Sequence, residues 1–233
     1  MFSRNYLYIS EAIQQKLSAS SVLIAGCGLG SYVSECMARL GVGGLHLVDG
    51  DQIEISNLNR QNFTQNDLGR SKAETACKTI NSITGKNTAT FSNIFLDESN
   101  FAQIIGKPDL IVDTVDLDSN KISKLIADYA FNMNIPCVIP VNFGFYSVCI
   151  ITGKNNSYLE SFESLLMFIR QNSQNQSFNS DFDYYINEFA KKNMNFYPQL
   201  SIGSFYVAAH VTEIFLNYMQ GIDVPQLSIR GKQ

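Results

Sequence analysis

The sequence predicts a doubly wound, mainly parallel Rossmann-like α/β sheet with an antiparallel edge and a C-terminal helical region. Within the first 150 residues, short apolar runs of strand length alternate with helical patterns, which is typical of parallel strands joined by right-handed crossovers. A glycine turn, "AGCGLGS", separates the first apolar run from the helix that follows it. Two later apolar runs, "PCVIPVNF" and "YSVCIIT", are too close together for a helix between them, so the sheet is expected to end in an antiparallel pair.

The first elements follow from the spacing of apolar residues. Residues 22–25 form an apolar run short enough for a buried strand, and residues 45–48 form a second one. Between them, residues 31–40 place three apolar side chains on one helical face, and "GVGG" ends this helix. A further helix is predicted over residues 72–83.

The later elements continue the alternation and then change in composition. Strands are predicted in "NTATFSNIF" and "PDLIVDTVD", followed by a helix over residues 119–133 and by the antiparallel pair. After about residue 153 the chain becomes rich in Asn, Ser and Phe, with a helix predicted over residues 159–171. The stretch "QNSQNQSFNSD" is expected to be a polar, mobile loop. A long helix over residues 200–219 closes the fold.

Composition limits the class of protein. The chain has 233 residues, of which 45% are hydrophobic and 16% charged, as in a globular protein with a sizeable core. Its net charge of -4 argues against a general nucleic-acid binder, which needs a basic face. No apolar run reaches the ~18 residues that a membrane span needs, and the first residues lack a signal-peptide core. We therefore expect a cytoplasmic protein that does not enter a membrane.

The cysteines and histidines are predicted to be structural. The five cysteines are scattered and form no C-x-x-C pair, so neither a zinc site nor a disulfide framework is expected. Cysteine prefers protein interiors, and most of the five are expected to be core residues. His46 lies in a predicted strand and His210 in a predicted helix, where both are interpreted as structural.

The glycine turn and the acid after the second strand indicate a nucleotide site. Gly26, Gly28 and Gly30 precede the first helix of the sheet, where glycine lets the backbone approach a phosphate at the helix N-terminus. Their G-x-G-x-G spacing equally fits an ordinary turn. Asp49 follows the second strand about twenty residues on, where a carboxylate can accept hydrogen bonds from ribose hydroxyls.

A burst of polar residues follows Asp49 and favours a mononucleotide triphosphate. The donors that converge on this rim of the sheet are Asn57, Arg60, Gln61 and Lys72. Two cations and two amides can hold and neutralise a polyphosphate. Asp116 follows the strand in "PDLIVDTVD", where a carboxylate beside bound phosphates can hold Mg²⁺. The alternatives are a solvated turn at Asp116 and helix N-caps at Asp118 or Ser119.

These segments resemble a known family. The residues "VLIAGCGLGSYVSECMARLGVGGLHLVDGDQIEISNLNRQNF", then "LGRSKAE" and "DTVDLDSNK", resemble the adenylating domain of the ThiF, MoeB and HesA proteins and of the ubiquitin-activating enzymes. The C-terminal "YPQLSIGSFYVAAHVTEIFLNYMQG" resembles the closing helix of that domain. The resemblance implies a domain that binds ATP and Mg²⁺ and adenylates a carboxylate, typically the C-terminal Gly of a ubiquitin-like protein.

The resemblance also implies a role for each matching residue. Gly26, Gly28 and Gly30 would line the nucleotide turn and Asp49 would hold the ribose. Asn57, Arg60, Gln61 and Lys72 would bind the phosphates, with Asp116 on Mg²⁺. Family members are commonly dimers in which an arginine near the N-terminus reaches the partner's triphosphate. Arg4 occupies that position and is otherwise one more surface cation.

The same resemblance divides the chain into three regions. Residues 1–153 would form the ATP-binding adenylating domain with an N-terminal helix. Residues 154–198 would form a variable helical and loop insertion that selects the substrate. Residues 199–233 would supply the closing helix and tail of the same domain.

The sequence departs from the family pattern in ways that bear on the reaction. Neither the zinc-binding C-x-x-C pairs nor a cysteine after Cys149 is present, and Cys149 lies in an apolar run that disfavours a thiolate. We therefore expect the reaction to stop at the acyl-adenylate, which passes to an external nucleophile. Leu117 replaces the Asn that usually follows the magnesium aspartate, and Lys121 stands near the position of a common Arg.

The leading interpretation is an ATP- and Mg²⁺-dependent adenylyltransferase acting on a ubiquitin-like protein, a peptide or a small carboxylate, in a homodimer. Three alternatives remain open at this point. One is the related dehydratase that cyclises a modified tRNA base, another is an inactive partner subunit that retains the fold, and the third is a nicotinamide oxidoreductase.

Overall fold

The computed structural model describes residues 1–115, 120–152, 162–192 and 197–232. Within them, the strands are β1 (Ser21–Ala25), β2 (Gly44–Val48), β3 (Ala89–Ser92), β4 (Leu110–Asp113), β5 (Cys137–Phe143), β6 (Tyr146–Thr152) and β7 (Leu227–Gly231). The α-helices are α1 (Glu11–Ala19), α2 (Gly30–Leu40), α3 (Lys72–Thr84), α4 (Phe101–Ile105), α5 (Asn120–Met133), α6 (Phe162–Asn172), α7 (Gln176–Lys192) and α8 (Ser201–Gln220). Short 3-10 turns cover Phe2–Asn5, Ile55–Asn57 and Gln65–Asp67.

The strands form one seven-stranded sheet in the order β3-β2-β1-β4-β5-β6-β7. The pairs from β3 to β5 are parallel, whereas β5–β6 and β6–β7 are antiparallel. This confirms the predicted parallel sheet with an antiparallel edge. The chain runs outward from β1 to β3 and then returns to place β4 on the other side of β1. Such a reversal opens a crevice at the carboxyl ends of the strands.

The register brings the ends of three strands together at this crevice. Ala25, the last residue of β1, is paired with Val48 of β2 and with Asp113 of β4. The next residue in each case, Gly26 or Asp49 or Thr114, therefore begins a loop on the same edge. The glycine turn and the predicted ribose acid are neighbours because of this register.

Helices cover both faces of the sheet and produce two apolar layers. One layer packs β1 and β2 against α2, α3 and α8, with Met37, Ile80 and Phe215 fully or almost fully buried. The other packs β4, β5 and β6 against α5, α6 and α7, with Ile126 and Phe178 fully buried. No helix of the described ranges is both long and apolar enough to span a bilayer.

The structure corrects the prediction of a mobile loop in "QNSQNQSFNSD". Helix α7 begins at Gln176, inside that stretch. The side-chain oxygen of Asn175 accepts a hydrogen bond from the N–H of Phe178 at 3.0 Å, as an N-cap residue does. Phe178 and Phe182 are buried in the second layer, so tertiary packing stabilises a segment whose polar composition indicated a loop. The N-caps expected at Asp118 or Ser119 lie outside the described residues.

Two further elements were not predicted. Helix α4 has one short turn, and β7 adds an antiparallel strand beside β6. The sequence of β7, "LSIRG", is short and only half apolar, so its pattern alone does not distinguish it from a tail.

Both histidines have the structural roles that were predicted. The ring of His46 on β2 bonds the hydroxyls of Thr90 and Ser92 on β3, at 2.8 and 3.1 Å. His210 of α8 is buried, and its ring nitrogens bond Ser147 of β6 at 3.0 Å and Ser228 of β7 at 2.8 Å. His210 therefore ties the closing helix to the antiparallel edge of the sheet.

The burial of His210 predicts a stability that falls in acid. Burial, assisted by the positive charge of Arg230, lowers the pKa of His210 to about 4, whereas an unfolded histidine titrates near about 6.5. The unfolded chain therefore binds the proton first, and the folded state loses stability as the pH falls from about 6.5 to about 4. Between about pH 7.5 and about pH 5, this group should lower the free energy of unfolding by about 2 kcal/mol.

Urea unfolding of the wild type and of His210→Gln at both pH values measures this contribution. The difference between the two proteins should shrink at the lower pH, because glutamine does not titrate. His46→Gln is the matched control, since His46 is half-exposed and should change the pH dependence less. Parallel pH profiles of the wild type and His210→Gln would contradict the assignment.

Candidate functional site

A cavity of about 560 Å³ lies at the carboxyl edge of the parallel strands. Its walls are the loops that follow β1, β2, β3 and β4, the second half of β5, parts of α6 and α7, and the segment before α8. Seven of the residues predicted from the sequence to bind the nucleotide line it, namely Gly26, Gly28, Asp49, Asn57, Arg60, Gln61 and Lys72. The structure therefore gathers residues from three separate segments into one site.

The turn after β1 requires glycine for two different reasons. Gly26 has a φ of +87°, and a Cβ there would lie 2.5 Å from the carbonyl oxygen of Thr114. A Cβ at Gly28 would lie 2.8 Å from the side-chain nitrogen of Gln61. Both glycines keep the turn narrow, so a ligand could approach its backbone closely.

Gly30 has another role than the one the motif implies. It is absent from the described lining of the cavity. A Cβ at Gly30 would lie 2.5 Å from the side chain of Ile24 and 2.9 Å from the hydroxyl of Thr114. This glycine lets the start of α2 pack closely on β1, which is the third function of glycine in Rossmann turns.

The carboxylate of Asp49 holds two loops together. One oxygen accepts a hydrogen bond from the N–H of Cys27 at 2.6 Å, and the other accepts one from the N–H of Asp51 at 2.7 Å. Burial raises the pKa of Asp49, and the two N–H donors and Lys72 counteract part of this effect. A carboxylate has about four acceptor positions, so Asp49 can still accept hydrogen bonds from a ribose.

The segment after Asp49 folds into a compact turn. The side-chain oxygen of Asn57 accepts from the N–H of Glu54 at 3.0 Å, and its carbonyl accepts from the N–H groups of Arg60 and Gln61. Asn57 therefore shapes the turn that presents its neighbours. Gln61 is buried, and its side-chain oxygen has no hydrogen-bond partner among the described residues. An unsatisfied buried amide on a cavity wall is typical of a ligand-binding position.

Arg60 lines the cavity and is held by three hydrogen bonds. Its Nε donates to the side-chain oxygen of Gln199 at 2.7 Å. Its Nη1 donates to the carbonyl of Ser56 at 2.8 Å and to the side chain of Asn59 at 2.9 Å. These acceptors are neutral, so the positive charge of Arg60 is oriented without being cancelled.

Lys72 is the second cation of the cavity and the first residue of α3. Its Nζ lies 2.9 Å from Oδ2 of Asp51, with the lysine side chain 10% exposed and the aspartate 48% exposed. A positive charge at a helix N-terminus opposes the helix dipole. The pair with Asp51 offsets this cost, and an anion bound at the same position would do so as well.

Asp113 closes β4 as a buried carboxylate. Its Oδ1 accepts from the N–H of Val115 at 3.1 Å, whereas Oδ2 has no partner among the described residues. Burial raises the pKa of Asp113 to about 6, and the hydrogen bond from the Val115 N–H counteracts part of this effect. Asp113 lines the cavity.

Mg²⁺ was predicted at Asp116, which lies outside the described residues. The described part of the chain holds no cluster of three His, Cys, Asp or Glu side chains suited to a metal. In nucleotide sites, however, Mg²⁺ is usually held by one or two carboxylates together with waters and phosphate oxygens. The free Oδ2 of Asp113 on the cavity wall fits one place in such a donor set.

Arg4 lies apart from the other predicted site residues. It is exposed in the N-terminal 3-10 turn and does not line the cavity of its own chain. The neighbouring Asn5 holds this turn in place, because its side chain donates to Gln14 at 2.8 Å and to the carbonyl of Leu40 at 3.2 Å. A role at a nucleotide would therefore require the site of a second chain.

The cysteines are distributed as predicted. Cys27, Cys77, Cys137 and Cys149 are buried, and Cys36 is half-buried. Burial raises the pKa of Cys149 to about 12, which leaves this thiol protonated and unreactive at neutral pH.

Several residues of the cavity were missed by the sequence analysis. Asp51 pairs with Lys72, and its position two residues after Asp49 was a usable signal. Gln199 lies 139 residues from its partner Arg60, so no local pattern connects the two. The aromatic side chains that α7 contributes to the cavity are Phe182, Tyr185 and Phe189. They follow the stretch where a loop had been expected, in a segment for which no helix was predicted.

The fold and the cavity together indicate the class of protein. A glycine turn at a switch point, an acid after β2 and a cationic rim are typical of a nucleotide-binding protein of the Rossmann-like type. The family follows from comparison. The sequence model described as "ThiF family" matches residues 2–199, and the chain belongs to this family.

Related proteins carry names that agree with this membership. The chain is 41% identical over 105 residues to "Adenylyltransferase and sulfurtransferase MOCS3" of Xenopus laevis, which covers 44% of the chain and 23% of that relative. It is 37% identical over 105 residues to "Molybdopterin-synthase adenylyltransferase" of Escherichia coli K12, covering 44% and 42%. The matched segments therefore span less than half of either relative.

Comparison with solved structures shows a shared fold. A crystal structure of E. coli MccB with succinimide superimposes with a TM-score of 0.72, covering 99% of this chain and 70% of the other at 21% identity. This similarity shows that the architecture is shared over nearly the whole chain.

The glycine turn provides a test of the site's geometry. Gly26→Ala should lower the free energy of unfolding by about 3 kcal/mol, because alanine pays for the positive φ and its Cβ also meets the carbonyl of Thr114. Gly85→Ala is the matched control, since Gly85 has a φ of +68° but open space around its Cβ position. It should lose only about 1 kcal/mol.

Urea unfolding gives the free energy of unfolding of both variants, and titration calorimetry gives their affinity for ATP. Gly26→Ala should also weaken ATP binding, whereas Gly85→Ala should not. Equal losses of stability in the two variants would mean that contact with Thr114 does not constrain the turn.

Proposed function

We propose that this chain is an ATP- and Mg²⁺-dependent adenylyltransferase that activates a carboxylate as an acyl-adenylate and releases pyrophosphate. The observation that carries the proposal is the gathering of Gly26, Gly28, Asp49, Arg60 and Lys72 on the wall of one cavity. The names of the related adenylyltransferases support it.

The reaction sets two anions against each other. A carboxylate oxygen of the substrate attacks the α-phosphorus of ATP, a new C–O–P linkage forms, and the bond from the α-phosphorus to the oxygen bridging to the β-phosphate breaks. Pyrophosphate leaves with that oxygen and both its electrons. The carboxylate is already ionised near neutral pH, so no general base is needed.

The protein's contribution is therefore electrostatic. In this proposal the narrow turn at Gly26 and Gly28 receives the phosphates on backbone N–H groups, and Asp49 accepts hydrogen bonds from the ribose. Arg60 and Lys72 neutralise the charge that grows as pyrophosphate departs, which is the largest contribution in reactions of this kind. Asn57 and Gln61 shape the rim and supply neutral donors.

Lys72 changes partners in this scheme. In the structure it is paired with Asp51. A polyphosphate carries more negative charge than one carboxylate and would compete for the lysine, so Asp51 holds Lys72 in position until the nucleotide binds. Asp116 and Asp113 would hold Mg²⁺, which would supply positive charge beside the phosphate oxygens when bound.

The product of the site is the acyl-adenylate. Cys149 is buried and protonated, and the described residues that line the cavity do not include a cysteine. We therefore assign no internal thioester and expect an external nucleophile to take the acyl group. The proposed acyl substrate is the C-terminal carboxylate of a ubiquitin-like protein or peptide, or a small acid, and residues 154–198 would select among them.

The remaining parts of the proposal are a cytoplasmic location and a homodimer. The dehydratase alternative uses the same nucleotide chemistry but needs a basic surface for RNA, which the net charge of -4 does not favour. An inactive subunit would lack phosphate ligands, yet Arg60, Lys72 and Asp49 line the cavity. The polar rim after Asp49 has no purpose in an oxidoreductase that binds nicotinamide.

The role of Arg60 is tested by ATP–pyrophosphate exchange in the presence of the acyl substrate and Mg²⁺. Arg60→Ala should lower the exchange rate by about a hundredfold or more, as removal of one charge-stabilising donor does. Asp116→Ala should abolish exchange as well. Arg39→Ala is the matched control, because Arg39 is an exposed arginine that pairs with Glu35 on α2.

Circular dichroism should show that all three variants are folded. Normal exchange in Arg60→Ala or in Asp116→Ala would remove the role assigned to that residue. Loss of exchange in Arg39→Ala would show that the assay responds to surface charge in general.

The dimer is tested by mixing two inactive variants, Arg4→Ala and Asp116→Ala. If Arg4 serves the partner's site, half of the mixed molecules are heterodimers, and each has one site with both native residues. Equal mixing should therefore restore about a quarter of the wild-type activity. Mass spectrometry confirms that subunits have exchanged, and no recovery after exchange would contradict the role across the interface.

A further inference from the structure

One wing of the cavity is lined by aromatic and aliphatic side chains. We call this the aromatic wing, and its members are Phe143, Phe182, Tyr185, Ile186, Phe189 and Tyr197. It comprises the end of β5, one face of α7 and the segment before α8. All six side chains are uncharged, in contrast to the acidic and cationic rim around Arg60 and Lys72.

The rings of the wing form a continuous ladder. Phe143 contacts Phe182 with ring centroids 5.0 Å apart and Tyr185 with centroids 4.4 Å apart. Tyr185 stacks on Phe189 at 6.1 Å, and Phe189 stacks on Tyr197 at 5.3 Å with an angle of 8° between the rings. These contacts fix the ring positions, so the wing is formed before any ligand arrives.

The ladder is not simply part of the core. Phe182 is buried, whereas Phe143, Tyr185, Phe189 and Tyr197 are half-buried and line the cavity. Half-buried rings around a concave space leave apolar surface for a ligand to cover. Burial raises the pKa of Tyr185 to about 12, helped by Tyr197, so its phenol stays neutral.

The position of the wing excludes the nucleotide base as its occupant. Asp49 fixes the ribose end of the site after β2, and the side chains beyond it are Ile94, Phe95 and Leu96, which follow β3 and also line the cavity. The aromatic wing begins at Phe143, the last residue of β5, on the other side of β1 and β4. The two apolar ends therefore flank the phosphate turn from opposite sides.

The carboxylate attacks the α-phosphorus in line with the bond to the departing pyrophosphate and opposite to it. Because the base is assigned to the β3 side of the glycine turn, the wing is the apolar surface that remains for the group attached to the carboxylate. The bond between Arg60 and Gln199 connects the wing to the proposed phosphate site, since Tyr197 is two residues from Gln199. The group attached to the carboxylate then meets the rings. If the residue that carries the carboxylate were glycine, the rings would stay uncovered. If it had a charged side chain, that charge would lose its hydration without gaining an oppositely charged partner among the six side chains of the wing.

We propose that the aromatic wing is the acyl subsite, and that it takes a carboxylic acid with an aromatic or large aliphatic side chain close to the reacting carboxylate. The inference rests on the proposed adenylyltransferase function, which it deepens by naming the substrate class. Residues 154–198 thus contribute to selection through α7.

The wild-type protein tests this directly by ATP–pyrophosphate exchange with a matched panel of acids. The panel consists of N-acetyl-Gly-Phe, N-acetyl-Gly-Leu, N-acetyl-Gly-Gly and N-acetyl-Gly-Asp, together with 3-phenylpropanoate as an acid without a peptide group. Burial of one large apolar side chain contributes enough free energy for about a ten- to hundredfold preference. The peptides ending in Phe and Leu should exceed those ending in Gly and Asp by that factor in kcat/KM.

Variants locate the preference in the wing. Tyr185→Ala should reduce the ratio of the Phe peptide to the Gly peptide to about one-tenth of its wild-type value or less. Tyr184→Ala is the matched control, because Tyr184 is the next residue of α7, is 70% exposed and is not among the described lining residues. It should keep the wild-type ratio. The ratio is read within one variant, so a general loss of activity does not imitate the effect.

A binding experiment separates failure of the inference from failure of the proposed function. Saturation-transfer NMR with 3-phenylpropanoate should give a signal with the wild type and Tyr184→Ala, and a weak one with Tyr185→Ala. Exchange that is equal for all peptides, or best with Gly or Asp, would overturn the inference and leave the adenylyltransferase intact. Binding without exchange for any acid would keep the subsite and remove the proposed reaction. Neither binding nor exchange would overturn both.

Discussion

The site depends on the carboxylate of Asp49, which joins the turn after β1 to the loop after β2. Its two oxygens accept from Cys27 and Asp51 at 2.6 and 2.7 Å, so the residues that face the cavity from both loops are held at fixed separation. The parallel register of β1 with β2 and β4 makes this possible, because it ends the three strands at one level. Backbone hydrogen bonds reinforce this bridge, because the N–H of Gly26 donates to the carbonyl of Val48 at 2.8 Å and the N–H of Lys72 donates to the carbonyl of Asp51 at 3.0 Å.

Protein side chains hold the cations of the cavity in position, as the proposed nucleotide site requires. Arg60 is held by neutral acceptors and keeps its charge, whereas Lys72 is held by the half-exposed Asp51. Orientation in advance matters because a flexible cation must lose side-chain entropy when it binds a phosphate. The unsatisfied oxygens of Gln61 and Asp113 complete the pattern. The protein tolerates unpaired polar atoms at this edge, where a bound ligand can satisfy them.

The polar half of the site could be predicted from the sequence, because short segments carry it. Gly26 and Gly28 follow the first predicted strand, and Asp49 follows the second, so the topology brings them together. The turn around Arg60 belongs to the same polar segment that begins at Asp49. The fold was predictable for the same reason, apart from α4, α7 and β7. Helix α7 depends on the long-range packing of Phe178, and β7 depends on pairing with β6. Gln199 was missed because it meets Arg60 only in the folded chain.

The apolar half of the site is constrained differently from the polar half. The polar half is proposed to catalyse the reaction, whereas the apolar half is proposed to select the substrate. Binding and cleaving ATP require charges at fixed positions. Residues just after strand ends can provide them, and these residues lie in short segments that can be recognised as sequence motifs. Selecting an acyl group requires only a surface of the right size and polarity, and many combinations of side chains on a helix can build one. Helix α7 can therefore change its rings without disturbing Asp49 or Arg60. The aromatic wing is therefore the part of the molecule from which the class of substrate can be inferred. No local pattern in the sequence predicts this wing.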